Sequence, residues 1–368
     1  MKEDGPVKKL FAFVLAMMLL LSAASALAAG SLVEDVWLET EVVAKGHKMK
    51  EFHLTVKDPA VLEGLTAKDF TIYGLACQWL DPTLHEFEAD IGKIKVEGNE
   101  AILTVINFNE KYFYVDSFTV MCKNARLTFT KEDLSKEVTP IVDDFEKFTV
   151  AGGAPINYNL YTPADTSVAQ PLVLALHGWG DYENLVQNRV VTAFAEPHHQ
   201  ELRPCYVMGP LFMDPETETP YDASEILAKS VEIIKGMIAE GKVDAKRVYV
   251  TGKSMGGGNT VLAMLQYPDF FAAGMPMCPY FSTEGVDLSA LVGQKIWFIA
   301  NEADDTVPAV LVKGLYDQVV ALGSETAQLR LFTQKEMNVL GYDEYHAVDM
   351  QVHADDTFFE WMFAQVKE

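Results

Sequence analysis

The chain has 368 residues, of which 49% are hydrophobic and 11% aromatic, and it carries a formal net charge of −24. That apolar content is enough for two buried cores and excludes an intrinsically disordered protein. The strongly acidic balance repels phosphate backbones and anionic lipid surfaces, so nucleic acid is not expected as a partner.

Residues 1–28 are predicted to be a secretory signal peptide. Lys8 and Lys9 precede an apolar run from Leu10 to Leu21, and the small residues of Ala26-Leu27-Ala28 fit the cleavage rule. The apolar run is shorter than the roughly 20 residues that a spanning helix needs. We therefore expect a secreted or periplasmic protein whose mature chain has no membrane span, with an uncleaved anchor as the alternative.

Residues 29–140 predict an all-β domain. Short runs alternate apolar and polar residues, as in Phe52-His53-Leu54-Thr55-Val56, and no long helical period interrupts them. Gly98-Asn99 between two such runs is typical of a hairpin turn. Regularly spaced strands in a segment of this size predict an immunoglobulin-like β-sandwich. The strand-like runs include Val36–Ala44, Phe52–Lys57, Lys93–Glu97, Ala101–Phe108, Ser117–Cys122 and Ala125–Thr130.

The chain has four cysteines, at positions 77, 122, 205 and 278. Export would permit disulfides. Cys77 and Cys122 both fall in the predicted β-domain and could pair, although spacing alone does not decide the pairing. Cys205 and Cys278 lie in apolar, strand-like runs and are expected to be buried thiols.

The pattern changes after the charged stretch Lys131–Glu137 and Pro140, and residues 141–368 alternate strand-like runs with helical periods. One of these helices, Asp222–Ala239, opens with a capping box between Asp222 and Glu225. The alternation predicts an α/β domain with a doubly wound, mostly parallel sheet. The predicted strands are Leu172–Leu176, Tyr206–Met208, Val248–Val250, Ala272–Met277, Ile296–Ala300 and Leu329–Phe332, and the later predicted helices are Pro308–Leu322 and Asp355–Val366.

A Gly-x-Ser-x-Gly motif, Gly252-Lys253-Ser254-Met255-Gly256, lies between the strand Val248–Val250 and a helical run from Asn259 to Gln266. A strand, this motif and a helix together indicate a nucleophile elbow, in which a strained turn exposes Ser254. A phosphate-binding loop is the alternative, because Gly252-Lys253-Ser254 resembles its end. That motif needs a glycine five residues earlier, where Arg247 stands, so we reject it.

A nucleophilic serine needs an acid and a base, which this fold supplies in the order serine, acid, histidine. Asp304 and Asp305 follow the strand Ile296–Ala300 and precede Pro308, where the acid is expected. We assign Asp304, with Asp305 as the alternative and simple helix capping by both as the other interpretation.

Two histidines lie downstream of the acid. His346 is predicted to lie in the loop after Leu329–Phe332, and we assign it as the base. His353 adjoins the last helix and is interpreted as a surface residue.

The developing negative charge needs backbone N–H donors. His177-Gly178-Trp179-Gly180 follows a strand directly, so the amides of Trp179 and Met255 are the predicted oxyanion hole. His177 itself is interpreted as a structural histidine. His198-His199 has no acidic or cysteine partner at metal spacing, and we therefore predict no catalytic metal.

The chain resembles secreted bacterial carboxylesterases in which an immunoglobulin-like domain precedes an α/β-hydrolase domain, relatives of polyhydroxybutyrate-depolymerase-like and feruloyl-type esterases. The resemblance implies His346 as the base, fifteen residues before Trp361, and Asp304 as the acid, four before Pro308. Relatives have glycine and tryptophan where Tyr345 and Asp349 stand. The motifs that carry it are Tyr158–Pro163, Leu174–Gly180, Gly252–Gly257, Ala303–Pro308 and Phe359–Phe363, with a looser match at Leu65–Phe70.

The sequence thus predicts a serine carboxylic-ester hydrolase that acts on a small-molecule or polymer-linked ester and needs no cofactor. Two other functions stay open. The same three residues could serve a serine peptidase, or the β-domain could bind a polymer or glycan beside a decayed hydrolase domain. The ordered set of Ser254, Asp304 and His346 argues against decay.

Overall fold

The two stretches with different sequence patterns fold as two separate units, and the chain divides between Pro140 and Ile141. A computed structural model describes residues 31–43, 46–78, 81–109, 112–150, 156–179, 189–214, 219–339 and 345–368. The predicted signal peptide lies outside these residues. Within the part of the chain that is described, no helix has the length and apolar character needed to cross a membrane.

The N-terminal unit consists of eight strands linked by short turns and 3₁₀ helices. They hydrogen-bond in the order β7-β6-β3-β4-β5-β2-β1-β8, and all neighbours are antiparallel except β1 and β8. The strands are β1 (Val33–Val43), β2 (Gly46–Val56), β3 (Phe70–Gln78), β4 (Asp81–Glu97), β5 (Glu100–Ile106), β6 (Tyr112–Cys122), β7 (Phe129–Thr130) and β8 (Glu137–Val138).

The long strand β4 belongs to both halves of this sheet. Its first part, up to Asp90, pairs with β3, and its second part, from Asp90 onward, pairs with β5. Strands β2 and β6 are four places apart, about 19 Å in a flat sheet. The Phe52 ring of β2 nevertheless lies 5.4 Å from Phe118 of β6 and 5.3 Å from Phe129. The sheet therefore folds over on itself around an aromatic core.

The immunoglobulin-like assignment of this unit stays a prediction. The Gly98-Asn99 hairpin is confirmed, since Gly98 has φ of 64° between β4 and β5. The predicted strand at Ala125–Thr130 is shorter than expected. Ala125–Leu127 form a 3₁₀ turn and not a strand, because the Asn124 side chain accepts a hydrogen bond from the Arg126 N–H and caps a local turn.

The pairing of Cys77 with Cys122, which the sequence left open, is not formed in this structure, where both are free thiols. They lie at opposite ends of the β3–β6 ladder, with Cys77 opposite Tyr114 and Cys122 opposite Phe70. Seven residues of extended chain separate those pairs, about 24 Å. A disulfide needs Cα atoms within about 7 Å.

Cys205 and Cys278 are buried thiols, as expected, and burial raises the pKa of Cys205 to about 12.

The C-terminal unit is an α/β domain around one eight-stranded sheet of order β16-β15-β14-β13-β11-β12-β10-β9. Strands β11 to β16 run parallel, and β10 is antiparallel to both of its neighbours. This confirms the predicted mostly parallel sheet. The strands are β9 (Phe145–Val150), β10 (Ile156–Tyr161), β11 (Gln170–Leu176), β12 (Tyr206–Pro210), β13 (Val243–Lys253), β14 (Ala273–Met277), β15 (Trp297–Asn301) and β16 (Gln328–Phe332).

The described helices of this unit are α1 (Arg189–Thr192), α2 (Pro197–Leu202), α3 (Ala223–Ala239), α4 (Met255–Gln266), α5 (Ala309–Ala321), α6 (Gln334–Val339), α7 (Val348–His353) and α8 (Asp356–Ala364). Helix α3 shows why they form where they do. Its Asp222 cap accepts from the Glu225 N–H at 3.1 Å, and the apolar stripe that includes Ile226 and Ile234 is buried.

The carboxyl ends of the parallel strands meet at one edge of the sheet. Three of the predicted site segments begin there, after β11, β13 and β15 respectively, at His177, Ser254 and Glu302, and Cys278 follows β14 at the same edge. In open α/β sheets this edge is where ligands bind. The order of the strands alone therefore brings together groups that are far apart in the sequence.

We expect a fragment of residues 29–140 to fold alone, because its aromatic core is made within that unit. Circular dichroism should show a β-rich spectrum with a cooperative thermal transition. In the same fragment, Phe52→Ala should lower the free energy of unfolding by about 3–5 kcal/mol, since Phe52 is fully buried. An unfolded wild-type fragment would contradict the independence of the unit.

Candidate active site

Ser254 stands between β13 and α4 with φ of 58° and ψ of −116°. Few non-glycine residues adopt this backbone conformation, which costs on the order of 1–3 kcal/mol. Hydrogen bonds hold it in place: the Ser254 N–H donates to Met277 O at 2.9 Å, and the Tyr280 N–H donates to Ser254 O at 3.0 Å. The strained turn that the motif predicts is present.

The two glycines of the motif permit a very close approach between main chains. A Cβ on Gly256 would lie 2.0 Å from Leu176 O, at the end of β11, and a Cβ on Gly252 would lie 2.4 Å from Gly256 O. Only hydrogen fits at either point. The first turn of α4 therefore lies directly against Leu176, at the end of β11, and against His177.

Replacing Gly256 by alanine should disrupt this approach. We expect Gly256→Ala to destabilise the C-terminal unit by on the order of 1–3 kcal/mol, because the new methyl group meets main-chain atoms that cannot move aside cheaply. Gly236→Ala in α3 is the matched control, since its Cβ meets open space and alanine favours a helix by about 0.5–1 kcal/mol. Chemical denaturation measures both, and equal stabilities would contradict the packing argument.

Asp304 and His346 are joined directly. The His346 Nδ1–H donates to Asp304 Oδ2 at 2.8 Å, and the carboxylate is buried. The other carboxylate oxygen, Oδ1, accepts from the N–H groups of Thr306 and Val307 at 2.9 and 2.8 Å. One oxygen thus accepts hydrogen bonds from the turn before α5, while the other contacts the imidazole. The assignment of Asp304 as the catalytic acid stays a prediction. Asp305 is exposed.

His353 is not the surface residue that the sequence suggested. It is 4% exposed, packs near Phe194 and Phe359, and neither ring nitrogen has a hydrogen-bond partner within the described part of the chain. Burial lowers its pKa to about 3. Helix α7 directs this residue into the core, where five of its neighbours along 347–353 are buried as well.

The turn after β11 is fixed by His177, which is fully buried. The Phe212 N–H donates to its Nε2 at 2.9 Å, so the proton is on Nδ1, which donates to Gly178 O at 2.7 Å. Burial lowers the pKa of His177 to about 4, so the ring is neutral at pH 7. The structural role predicted for this histidine is confirmed, and it sets the backbone next to Trp179, whose side chain is 53% exposed.

Two residues around the site were not singled out by sequence reasoning as interacting groups. Lys253, immediately before the serine, forms an ion pair with Asp349 at 3.1 Å, and the aspartate is 1% exposed. Cys278 has φ of 35°, and its Sγ donates to His346 O at 3.5 Å. Both contacts connect the elbow side of the site to the segment that carries the histidine.

Breaking the Lys253–Asp349 pair should be costly because it leaves a buried carboxylate without its counter-ion. We expect Lys253→Met to lower the free energy of unfolding by about 3–5 kcal/mol, and Lys253→Met with Asp349→Leu to recover most of that loss. The control is Lys313→Met, which breaks an exposed pair with Asp317 and should change stability by less than about 1 kcal/mol. A double variant no more stable than Lys253→Met would contradict this pairing.

Comparison with known proteins gives one family match. The model of the prolyl oligopeptidase family (Peptidase_S9) matches residues 226–309, a stretch that contains Ser254 and Asp304. No curated protein sequence matches the chain.

Among solved structures, a thermostable esterase matches with a TM-score of 0.73 and 22% sequence identity, covering 91% of this chain and all of its own. That coverage is larger than the C-terminal unit, so the likeness in fold extends into the N-terminal unit. An S-formylglutathione hydrolase from Agrobacterium tumefaciens also matches, with a TM-score of 0.46 and 14% identity over 60% of this chain and 94% of its own. Est1E from Butyrivibrio proteoclasticus matches with a TM-score of 0.44 and 13% identity over 60% of this chain and 99% of its own.

Three features agree with the family match and with the fold of the thermostable esterase. They are the strand order, the single antiparallel strand β10 within the sheet and the strained serine turn. The C-terminal unit has the α/β-hydrolase fold, and the family match together with that fold supports a serine hydrolase.

Proposed function

We propose that this chain is a serine carboxylic-ester hydrolase that works through an acyl-enzyme. The observation that carries the proposal is the hydrogen bond from His346 Nδ1 to Asp304 Oδ2, at the sheet edge where the strained turn presents Ser254. This bond leaves Nε2 as the free nitrogen of the imidazole, which is the atom that a general base uses.

The reaction follows from these roles. Ser254 Oγ attacks the ester carbonyl carbon while His346 Nε2 takes the hydroxyl proton, and the Asp304 carboxylate stabilises the imidazolium that forms. The backbone N–H groups of Trp179 and Met255 stabilise the oxyanion, helped by the positive end of α4. The imidazolium then protonates the leaving alcohol. Water repeats the sequence on the acyl-enzyme and regenerates the serine.

The finer parts of the proposal are the subtype and the location. The quoted motifs resemble polyhydroxybutyrate-depolymerase-like and feruloyl-type esterases with an immunoglobulin-like first domain, and residues 1–28 read as a signal peptide. The side chains of Trp179 and Tyr280, 53% and 71% exposed, follow strand ends at the site and supply an aromatic wall for the acyl or alcohol group. A panel of acetyl, feruloyl and longer acyl esters distinguishes the subtypes.

Ser254→Ala should lower turnover of a chromogenic short-chain ester by on the order of 10⁴–10⁶-fold with the fold intact, because only the nucleophile is lost. His346→Ala should lower it comparably. The matched control is His353→Leu, which removes a histidine whose ring nitrogens make no hydrogen bond and should keep most activity. Wild-type rates in Ser254→Ala, or loss of activity only in the His353 variant, would overturn the assignment.

A serine peptidase is the second candidate, and the match to the prolyl oligopeptidase family favours it. The two functions differ in the leaving group, since an amine must be protonated to depart whereas a phenolate leaves readily. A pair of substrates with one acyl group, a p-nitrophenyl ester and a p-nitroanilide, separates them, with a proline-containing peptide anilide as a further probe. Activity on the anilide at a rate near that on the ester would favour the peptidase.

A further inference from the structure

We propose that His198, His199 and Asp356 form a binding site for one divalent transition-metal ion of the Zn²⁺ type. The site takes no part in the proposed catalysis. Helix α2 supplies both histidines, and Asp356 is the first residue of helix α8. One candidate ligand atom from each of the three residues lies within 4.8 Å of the other two. The inference does not depend on the proposed esterase activity.

The geometry places one carboxylate between two imidazoles. His198 Nε2 lies 3.2 Å from Asp356 Oδ2, and His199 Nδ1 lies 3.7 Å from Asp356 Oδ1. Ligand atoms around a tetrahedral zinc ion, at 2.0–2.1 Å from the metal, are about 3.3 Å apart. Small rotations of the exposed side chains of His198 and Asp356, which are 62% and 42% accessible, are enough to close on an ion.

An unsatisfied buried atom points to a missing ligand. His199 is 6% exposed, its ring stacks on Phe359 with centroids 3.7 Å apart, and its Nδ1 has no hydrogen-bond partner among the residues that the structure describes. Buried polar groups are nearly always satisfied, so this nitrogen requires an explanation. A metal ion supplies one, because the stacked ring already directs Nδ1 toward the carboxylate of Asp356.

The surroundings fit an ion that keeps one or more waters. Two nitrogens and one oxygen are a ligand set for zinc, with the remaining position open to solvent on the exposed side of His198. Arg203 lies 3.5 Å from Asp356 Oδ1 and 3.7 Å from Glu360, so it can donate to the carboxylate as ligating carboxylates commonly require.

A bound ion would cross-link helices α2 and α8, which are distant in the sequence. An ion held by α2 and α8 binds the folded chain in preference to the unfolded chain, so above its Kd the unfolding temperature should rise with the logarithm of the ion concentration. It would have no step in ester hydrolysis.

The test is titration of the full-length, chelator-treated protein with Zn²⁺ alone, followed by calorimetry and by thermal unfolding. We expect one ion per chain at this site and a rise in unfolding temperature. His198→Ala and Asp356→Asn should each weaken binding by more than about tenfold and abolish the rise, because losing a ligand costs at least as much as losing an outer partner.

Glu360→Gln, which changes a carboxylate one turn further along α8, should bind like the wild type. His53→Ala controls for a second group of possible ligands, Glu39, Glu51 and His53, in the N-terminal unit. Equal binding and equal thermal shifts in the wild type, His198→Ala and Asp356→Asn would overturn the proposal and leave a simple His198–Asp356 ion pair. Ester turnover in His198→Ala should be unchanged, since the residue lies outside the proposed catalytic machinery.

Discussion

The candidate site depends on one steric constraint, the contact of the first turn of α4 with the ends of β11 and β14. Hydrogen atoms stand at Gly252, Gly256 and Gly257 where a Cβ would come within about 2.0–2.5 Å of main-chain oxygens. This contact forces Ser254 into its strained conformation, and main-chain hydrogen bonds to Met277 and Tyr280 preserve it. Strain of this kind persists only where the surrounding structure over-determines it.

Buried charge then fixes what the glycines bring together. One oxygen of the Asp304 carboxylate accepts a hydrogen bond from the backbone of its own turn and the other accepts one from His346. Moving the histidine would therefore also disturb that turn. The Lys253–Asp349 ion pair connects the residue before the serine with the helix after the histidine. A buried pair contributes little net stability but penalises any arrangement that separates its members. It therefore favours one relative position of the serine and histidine segments.

Most of the fold and the local motifs could be predicted from the sequence, because the signals are short in range. The strand–turn–helix around Ser254 and the Asp222 cap of α3 follow from short local patterns, and the mostly parallel sheet follows from the alternation of such patterns along residues 141–368. The 3₁₀ turn at Ala125 and the burial of His353 could not be predicted so easily. At Ala125 the Asn124 cap outweighs the strand preference of the residues that follow it. At His353 packing near Phe194 and Phe359 outweighs the usual preference of histidine for the surface.

The groups that sequence reasoning missed share a different property, since their partners are far away in the chain. Asp349 is 96 residues from Lys253, and Asp356 is 157 residues from His199. In the sequence, neither a lysine beside a nucleophile nor a pair of histidines on a helix suggests a distant partner. Once a polar atom is known to be buried, a partner is expected, because burial without one costs free energy. Lys253 Nζ lies 3.1 Å from Asp349 Oδ1 and forms a simple ion pair, whereas His199 Nδ1 lies 3.7 Å from Asp356 Oδ1, beyond hydrogen-bond distance. His198 also faces that carboxylate, and the grouping of three candidate ligand atoms is what points to a metal ion.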